Sequence, residues 1–564
     1  MDAKHDEAIE GAGEAFAAAL RAGGIEFATA FPGSPTTSLA QRLEADGARW
    51  GVEFRWAINE NVALSQAFGA AMGGRGAAAL MKHVGVNVAA DALHAMGVVH
   101  GLPAPLLLIE GADAKPGSSQ SAQDNRSLYA SSPQLLVIAP TTVAEIVEQV
   151  QAACEISRRA GMLVVVRGDA RCFAAKGRAA LAGPGAAAPP PYPAWPERGR
   201  SLSTSARTYG AHLERRAEVL ARLTPWVDAQ VRCWGWTPEA SAAEESLHLG
   251  LVVAAHLGAP IAEAARAREL PGLRLGLEHP LPAAPILALA RRVRELVVLE
   301  ECTPTLELQV RALLHREGLD TRVVGRAELG DRRPIGRLVG APLDAVLDHA
   351  QRRCPPGLRR RGPETRPGPS PELAAALDGL PAHILDAEAQ LDVDRPASGF
   401  PDADPRKALF SVLRELGGAR PVFIATDPGI TGVLALADHG CDVKMHMGGA
   451  VAMAAGWSRA RPEGLAVCVL GDTNLPHSEW LGLLDAIDHG DDLLIVVADN
   501  GASEMTQNIV TPRLEAARAR ASLEAAGLPC QLARASLDPS DAWAENLRAL
   551  AEGAGPRLLW LDLS

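Results

Sequence analysis

Along the chain, short and nearly uninterrupted apolar runs alternate with longer stretches that mix small apolar and polar residues. GIEFATAF, AAALMKHVG, APLLLIEG, QLLVIAP and MLVVVRG read as strands in the first third, with NENVALSQAFGAAMGG and TVAEIVEQVQAACEISRRAG between them as helices. LHLGLVVAA, LRLGLEHP, LVVLEECTP and TRVVG repeat the strand pattern in the middle of the chain. PVFIATD, LAVCVLGD, DLLIVVADN and PRLLWLDLS repeat it again near the end. A strand with one wet face alternates apolar and polar positions, whereas a strand apolar throughout is buried on both faces. The pattern predicts an α/β chain of mostly parallel sheets covered by helices.

Two interruptions divide this pattern. Residues 181–204 are Pro/Ala-rich (LAGPGAAAPPPYPAWP), and 351–403 are Pro/Arg-rich, with one short helical patch from Pro371 to Leu380. Such stretches read as extended linkers. Three α/β domains are expected: 1–180, 205–350 and 404–564. Ligands on such sheets gather beyond the carboxyl ends of strands, so the residues just after strands carry the search for chemistry.

Composition narrows the function classes. A chain of 564 residues, 48% hydrophobic and 22% charged, is ordinary globular material. Lys and Arg number 55 against 67 Asp and Glu, a net charge of −12 that argues against generic binding to polyanions. The opening MDAKHDEAIE is acidic and shows no secretory signal, and no apolar run is long enough to span a bilayer, so a cytoplasmic protein is expected. The eight cysteines include no C-x-x-C, and the closest two, Cys154 and Cys172, are eighteen residues apart. Iron–sulfur clusters and zinc ribbons need closely spaced thiolates, so no cluster is expected in this chain.

The strongest local signal lies in the last third. LAVCVLGDTNLPHSEW is a strand ending in Gly471-Asp472, then a turn with Thr473 and Asn474, then a helix. Asn500 follows 28 residues later, at the end of the next apolar strand and just before Gly501-Ala502. Neighbouring strands thus each deliver an oxygen ligand to one sheet edge. A helix start beside them offers N–H groups to phosphate, and carboxylate, amide, backbone and phosphate oxygens together suit Mg²⁺. An Asp after a strand is also a common helix cap. In the first third, Asn59-Glu60-Asn61 opens an Ala/Gly-rich helix, where Glu60 is either a first-turn acid or a catalytic carboxylate.

G-D-x, a helix, a strand and a [ND]-N pair resemble the thiamine diphosphate signature, with Thr473 and Asp499 as departures from it. Longer motifs sharpen the likeness: Phe31 to Thr36 (FPGSPT), the Asn59-Glu60 helix, Met81 to Ala89 (MKHVGVNVA) and Ser118 to Arg126 (SSQSAQDNR). Gly276 to Pro282 (GLEHPLP), Leu299 to Glu301 (LEE) and Met447 to Met453 (MGGAVAM) continue it. In this order they resemble the α subunit of indolepyruvate:ferredoxin oxidoreductase, in the 2-oxoacid:ferredoxin oxidoreductase superfamily, across nearly the whole chain.

The resemblance implies a pyrimidine-binding domain, a central domain and a diphosphate/Mg-binding domain, in that order. Glu60 would act on the aminopyrimidine ring, and Asp472, Asn500 and the carbonyl of Ala502 would hold Mg²⁺. Pro32, Gly33, Gly429, Gly448, Gly471, Thr473 and Asn474 would line thiamine diphosphate. His83 is expected as a second catalytic group, with Lys82 and Arg126 on the substrate carboxylate; an ion pair that stabilises its own loop is the competing reading of Arg126. His446 is read as structural, and His477 as nearer the site. The family usually also carries a Cys-rich ferredoxin-like segment, for which this sequence has no cysteines. The expected activity is therefore decarboxylation of a 2-oxo acid, such as an arylpyruvate, giving an aldehyde or a carboligation product. The alternatives are acyl-CoA formation with electrons leaving through a separate redox or γ-type subunit, and a non-catalytic subunit of a complex. Neither nucleic acid nor membrane is an expected partner. A homodimer is expected, with Glu60 of one chain serving the Mg²⁺ clamp of the other.

Overall fold

The computed structural model describes residues 9–113, 123–132, 135–181, 202–203, 206–237, 247–329, 338, 340–354, 356, 371–377, 399–418, 420–437, 440–510 and 515–563. Its described strands form three large sheets and one small pair. The first sheet runs, edge to edge, Leu277–His279, Val137–Ile138, Leu163–Asp169, Leu106–Ala112, Ala77–Lys82, Phe27–Ala30 and Glu53–Trp56. All its neighbours are parallel except Leu277–His279, which lies antiparallel to Val137–Ile138. The central sheet, in order, is Arg232–Trp234, Gly272–Arg274, Leu247–Val253, Val293–Leu299 and Arg322–Val324, with only the first strand antiparallel. The third is parallel throughout and carries Leu465–Gly471 and Leu493–Asp499 as neighbours near its centre.

The strands are those the apolar runs predict, and the reason is burial. Leu106–Ala112 and Leu163–Asp169 are buried at every position, which a sheet covered by helices on both faces requires. Two elements depart from the expectation. LRLGLEHP is not one strand: Gly272–Arg274 stays in the central sheet and Leu277–His279 crosses to the first. Leu202–Ser203, inside the stretch read as a linker, pairs with Val443–Lys444 at the edge of the third sheet. A two-residue strand carries no periodicity, so its place is set by edge hydrogen bonding alone. Most of the first Pro-rich stretch lies outside the described residues. Within the second, the expected patch forms the helix Pro371–Leu377. No helix among the described residues is long and apolar enough to cross a membrane.

The first and third sheets meet through two helices. Glu60–Met72 crosses Ala450–Ala460, and both are buried along nearly their whole length. Glycines set the spacing. A Cβ on Gly69 would lie 2.0 Å from the Met453 carbonyl oxygen, and one on Gly456 would lie 2.0 Å from that of Gln66. The backbones touch only because both side chains are absent. Beside this crossing, buried Arg55 pairs with Asp491 at 2.9 Å and with Asp485 at 3.3 Å. The Ile58 N–H donates to Asp485 at 2.7 Å, which fixes the chain just before the Glu60 helix. One chain therefore brings its own first and third sheets together, whereas the resemblance implied that a second chain would complete the pair.

Candidate active site

The Glu60 helix starts where its sequence marks a start. Asn59 is extended (φ −158°), and its side chain accepts the Val62 N–H at 2.8 Å, leaving Glu60 in the first turn. Glu60 is buried, and burial pushes its carboxyl above the ordinary range, against a lowering hydrogen bond from its own backbone. The carboxylate lies over Gly85, in the short helix His83–Val88 that follows strand Ala77–Lys82 directly. His83 is fully buried, and its carbonyl accepts Asn125 Nδ2 at 2.8 Å and Asn87 Nδ2 at 3.2 Å. Lys82 is half-buried beneath the Pro32-Gly33 loop, where a Cβ on Gly33 would meet Lys82 Cβ at 2.7 Å. That loop is fastened by Thr36 Oγ1 donating to the Gly33 carbonyl at 2.7 Å.

From the third sheet comes the other half. Gly448 adopts φ +84°, a conformation that favours glycine, and accepts Asn61 Nδ2 at 3.2 Å. The residue after Glu60 is thus tied to the turn expected to contact the cofactor. The Gly448 N–H donates to Asp427 at 2.9 Å, and Asn474 Nδ2 donates to the same carboxylate at 3.2 Å. Asn474 Oδ1 accepts Thr473 Oγ1 at 3.5 Å. Asp472 is 1% exposed, at the end of its strand, and its N–H reaches the Ala498 carbonyl on the neighbouring strand at 3.4 Å. Asn61 thus joins the Glu60 helix to the Gly448 turn, and Asp427 joins that turn to Asn474 on the strand-end edge that also carries Thr473 and Asp472. Gly429 (φ +156°) has nothing within 4 Å of an added Cβ and leaves that edge open.

Asn500 and Ala502 stand at the end of the next strand. Asn500 Nδ2 donates to Glu504 at 2.8 Å, and its Oδ1 accepts the Ala502 N–H at 3.4 Å. Glu504 in turn receives Arg406 at 2.8 Å. Among the described residues, no group of three or more His, Cys, Asp or Glu is arranged to hold a metal. Asp472 and Asn500 follow adjacent strands, and their carboxylate and amide oxygens are of the type a hard, oxygen-liganded cation takes. The Gly448 turn and Asn474 carry polar groups near Asp472 of the kind a diphosphate would meet, and the missing side chain of Gly85 leaves space for the Glu60 carboxylate.

Arg126 is committed elsewhere. Its guanidinium donates to Glu300 at 2.7 Å, to Asp124 at 3.0 Å through Nε, to the Thr303 carbonyl at 3.0 Å and to the Glu301 carbonyl. The structure thus gives it the ion-pair reading, and the GLEHP and LEE motifs explain the rest. Glu278 meets Arg167 at 3.2 Å, and Glu301 meets Arg171 at 2.9 Å. These motifs seat the central sheet on the first one. His446 is buried, with Nε2 3.3 Å from Ser65 Oγ and its basicity lowered by desolvation. His477 is exposed beside Ser478. None of the eight cysteines, all within the described residues, forms a disulfide, and seven are buried.

Sequence reasoning missed Asp427 and Glu479. Asp427 follows strand Val422–Thr426 just as Asp472 follows its own, and that position was the available signal. Glu479 gives no such sign; only the fold turns it under the Gly448 turn.

Residues 438–558 match the family described as thiamine pyrophosphate enzyme, C-terminal TPP binding domain. Indolepyruvate oxidoreductase subunit IorA of Methanothermobacter marburgensis is 26% identical over 510 residues, covering 87% of this chain and 75% of that protein. The subunit of the same name from Archaeoglobus fulgidus is 26% identical over 540 residues, covering 90% of this chain and 76% of its own. Among solved structures, a 2-oxoglutarate:ferredoxin oxidoreductase from Magnetococcus marinus superposes with a TM-score of 0.46 at 15% identity, covering 61% of this chain and 65% of that one. The chain resembles the indolepyruvate oxidoreductase subunit along most of its length, as its motifs indicated.

Proposed function

We propose that this chain is a thiamine diphosphate- and Mg²⁺-dependent enzyme that decarboxylates a 2-oxo acid of the arylpyruvate type. The observation that carries this reading is the Asn61–Gly448 hydrogen bond, which joins the Glu60 helix to the edge bearing Asp472 and Asn474. Bound thiamine diphosphate would supply a nucleophilic carbon for the keto group and an electron sink for the loss of CO₂.

The chain's own residues do the rest. Glu60, buried and disposed to hold a proton, would share one with the aminopyrimidine nitrogen. Asp472, Asn500 and the Ala502 carbonyl would hold Mg²⁺, and Gly471, Thr473 and Asn474 would flank the diphosphate. Gly429 and Gly448 would let backbone approach the cofactor closely. The Pro32-Gly33 loop and Lys82 would face the substrate, with Lys82 the candidate for its carboxylate, whereas His83 is fully buried. Arg126 serves the interface with the central sheet in this reading.

The relatives are oxidoreductase subunits, which favours a second outcome: oxidation to an acyl-CoA, with electrons passing to a separate redox or γ-type subunit. A homodimer, each chain holding its own site, is the assembly in this reading. The test is incubation with thiamine diphosphate, Mg²⁺ and a panel of 2-oxo acids, with and without coenzyme A and an artificial electron acceptor. CO₂ with aldehyde supports decarboxylation, and CO₂ only with acceptor and coenzyme A supports oxidation. Cofactor binding without any CO₂ release would leave a non-catalytic subunit.

A further inference from the structure

Beneath the cofactor edge lies a pair of carboxyls that the proposed chemistry does not use. Asp427 is 3% exposed and Glu479 fully buried. Asp427 accepts the N–H groups of Gly448 at 2.9 Å, Gly449 at 3.3 Å and Ala450 at 3.1 Å, together with Asn474 Nδ2 at 3.2 Å. Glu479 accepts the N–H groups of Ala450 at 2.8 Å and Val451 at 3.4 Å, so the Ala450 N–H lies between the two carboxyls. The opening N–H groups of helix Ala450–Ala460, which have no partner within a helix, are thus taken by two carboxyls.

Two buried carboxyls that share the Ala450 N–H repel each other as anions, which favours one proton held between them. Its location follows from the donors. Asp427 receives three backbone N–H groups and an amide, the surroundings of an anion, whereas Glu479 receives two and keeps the proton. Burial and the neighbouring Asp427 both push the Glu479 carboxyl well above the ordinary range. Desolvation lowers the basicity of nearby Lys444 and His446, and the Asp427 carboxyl partly offsets it in each.

We propose that Asp427 and Glu479 form a carboxyl pair holding one proton, and that this pair locks the Gly448 turn and Asn474 into one cradle for the cofactor's ring and its diphosphate. The inference rests on the thiamine diphosphate reading above. Asp427 is bonded both to Gly448, whose carbonyl meets Asn61 beside Glu60, and to Asn474, two residues after Asp472. It is a positioning residue: it touches the groups that would hold the cofactor.

The experiment compares Glu479→Gln with Asp427→Asn in the full chain. The glutamine is neutral, as the protonated glutamate is, and keeps an oxygen for Ala450, so affinity for thiamine diphosphate with Mg²⁺ stays within about threefold of wild type. The asparagine sets an NH₂ among donors, so affinity falls about tenfold or more. Infrared spectra of cofactor-free protein at neutral pH should show a buried protonated-carboxyl band that Glu479→Gln removes. If Asp427→Asn does not fold, Asn474→Ala tests the same link, with about tenfold weaker binding and the band intact. Absence of the band in wild type overturns the inference, as do equal losses in the two carboxyl variants or unchanged affinity in Asp427→Asn or Asn474→Ala. A wild-type protein that shows the band and binds no thiamine diphosphate overturns the functional reading, and the cradle with it.

Discussion

Gly85 lies directly against Glu60: a Cβ at residue 85 would stand 2.4 Å from both Cγ and Oε1 of the glutamate. The absence of a side chain there is what lets the carboxylate settle where it does. Gly85→Ala should push the carboxylate aside without altering its chemistry. Turnover should fall by as much as about 100-fold, the scale of a misplacement near 1 Å, while cofactor affinity measured by calorimetry changes little. Unchanged turnover would separate the position of Glu60 from catalysis.

Glu60→Gln tests the charge itself. Turnover should drop by about 10²- to 10⁴-fold, the range for a lost acid–base group, with thiamine diphosphate still bound. Stability should move the other way. Burial raises the carboxyl of Glu60 in the folded state, so its contribution is complete below the ordinary carboxylate range and is lost as pH rises through the raised folded value. The glutamine cannot ionise, so the variant should unfold at a higher temperature than wild type at neutral pH. A lower unfolding temperature would contradict the assigned burial.

Asp472→Ala should abolish Mg²⁺-dependent binding of thiamine diphosphate, because Asp472 is the carboxylate of the proposed cation set. Titration with and without Mg²⁺ checks this, and unchanged affinity would remove the third sheet's edge from the cofactor site.

Much of this was legible because parallel strands buried on both faces leave continuous apolar runs, and because glycine motifs and strand-end acids mark where backbone and ligand meet. What stayed hidden depends on partners distant in sequence. Arg126 read as a carboxylate binder, yet its acceptors Glu300, Glu301 and Thr303 are more than 170 residues away. Asp427 was passed over because no motif names it, although it ends a strand as Asp472 does. Glu479 sits 29 residues from Ala450, whose N–H it accepts, and only folding reveals that bond.

The helix crossing offers a test of stability. Gly69→Ala would drive a methyl to within 2.0 Å of the Met453 carbonyl oxygen, so the helices must separate. Overpacking of this kind costs about 1–3 kcal/mol, and a backbone neighbour cannot turn aside as a side chain can. The chain should unfold at lower denaturant, and cofactor affinity should fall in parallel because the same crossing aligns Asn61 with Gly448. Loss of stability without loss of affinity would mean that the crossing and the site are independent.

The arrangement of the site within one chain makes the last prediction. The resemblance implied that Glu60 of one subunit would serve the clamp of another. Yet the Asn61–Gly448 bond, the Arg55 pairs with Asp485 and Asp491, and the glycine-spaced helices all join these halves within a single chain. A trans site would require that buried set to break and re-form between chains, leaving Arg55 without its carboxylates in the interim, which is costly for a buried charge. Mixing Glu60→Gln with Asp472→Ala under conditions that exchange subunits should therefore restore no activity, since every cis site in the mixture has lost one essential group. Exchange would be verified by mass spectrometry of differently tagged chains. Activity rising toward a quarter of wild type as exchange completes would show that each site draws on two chains, because half of the dimers would then be mixed and each would hold one intact site.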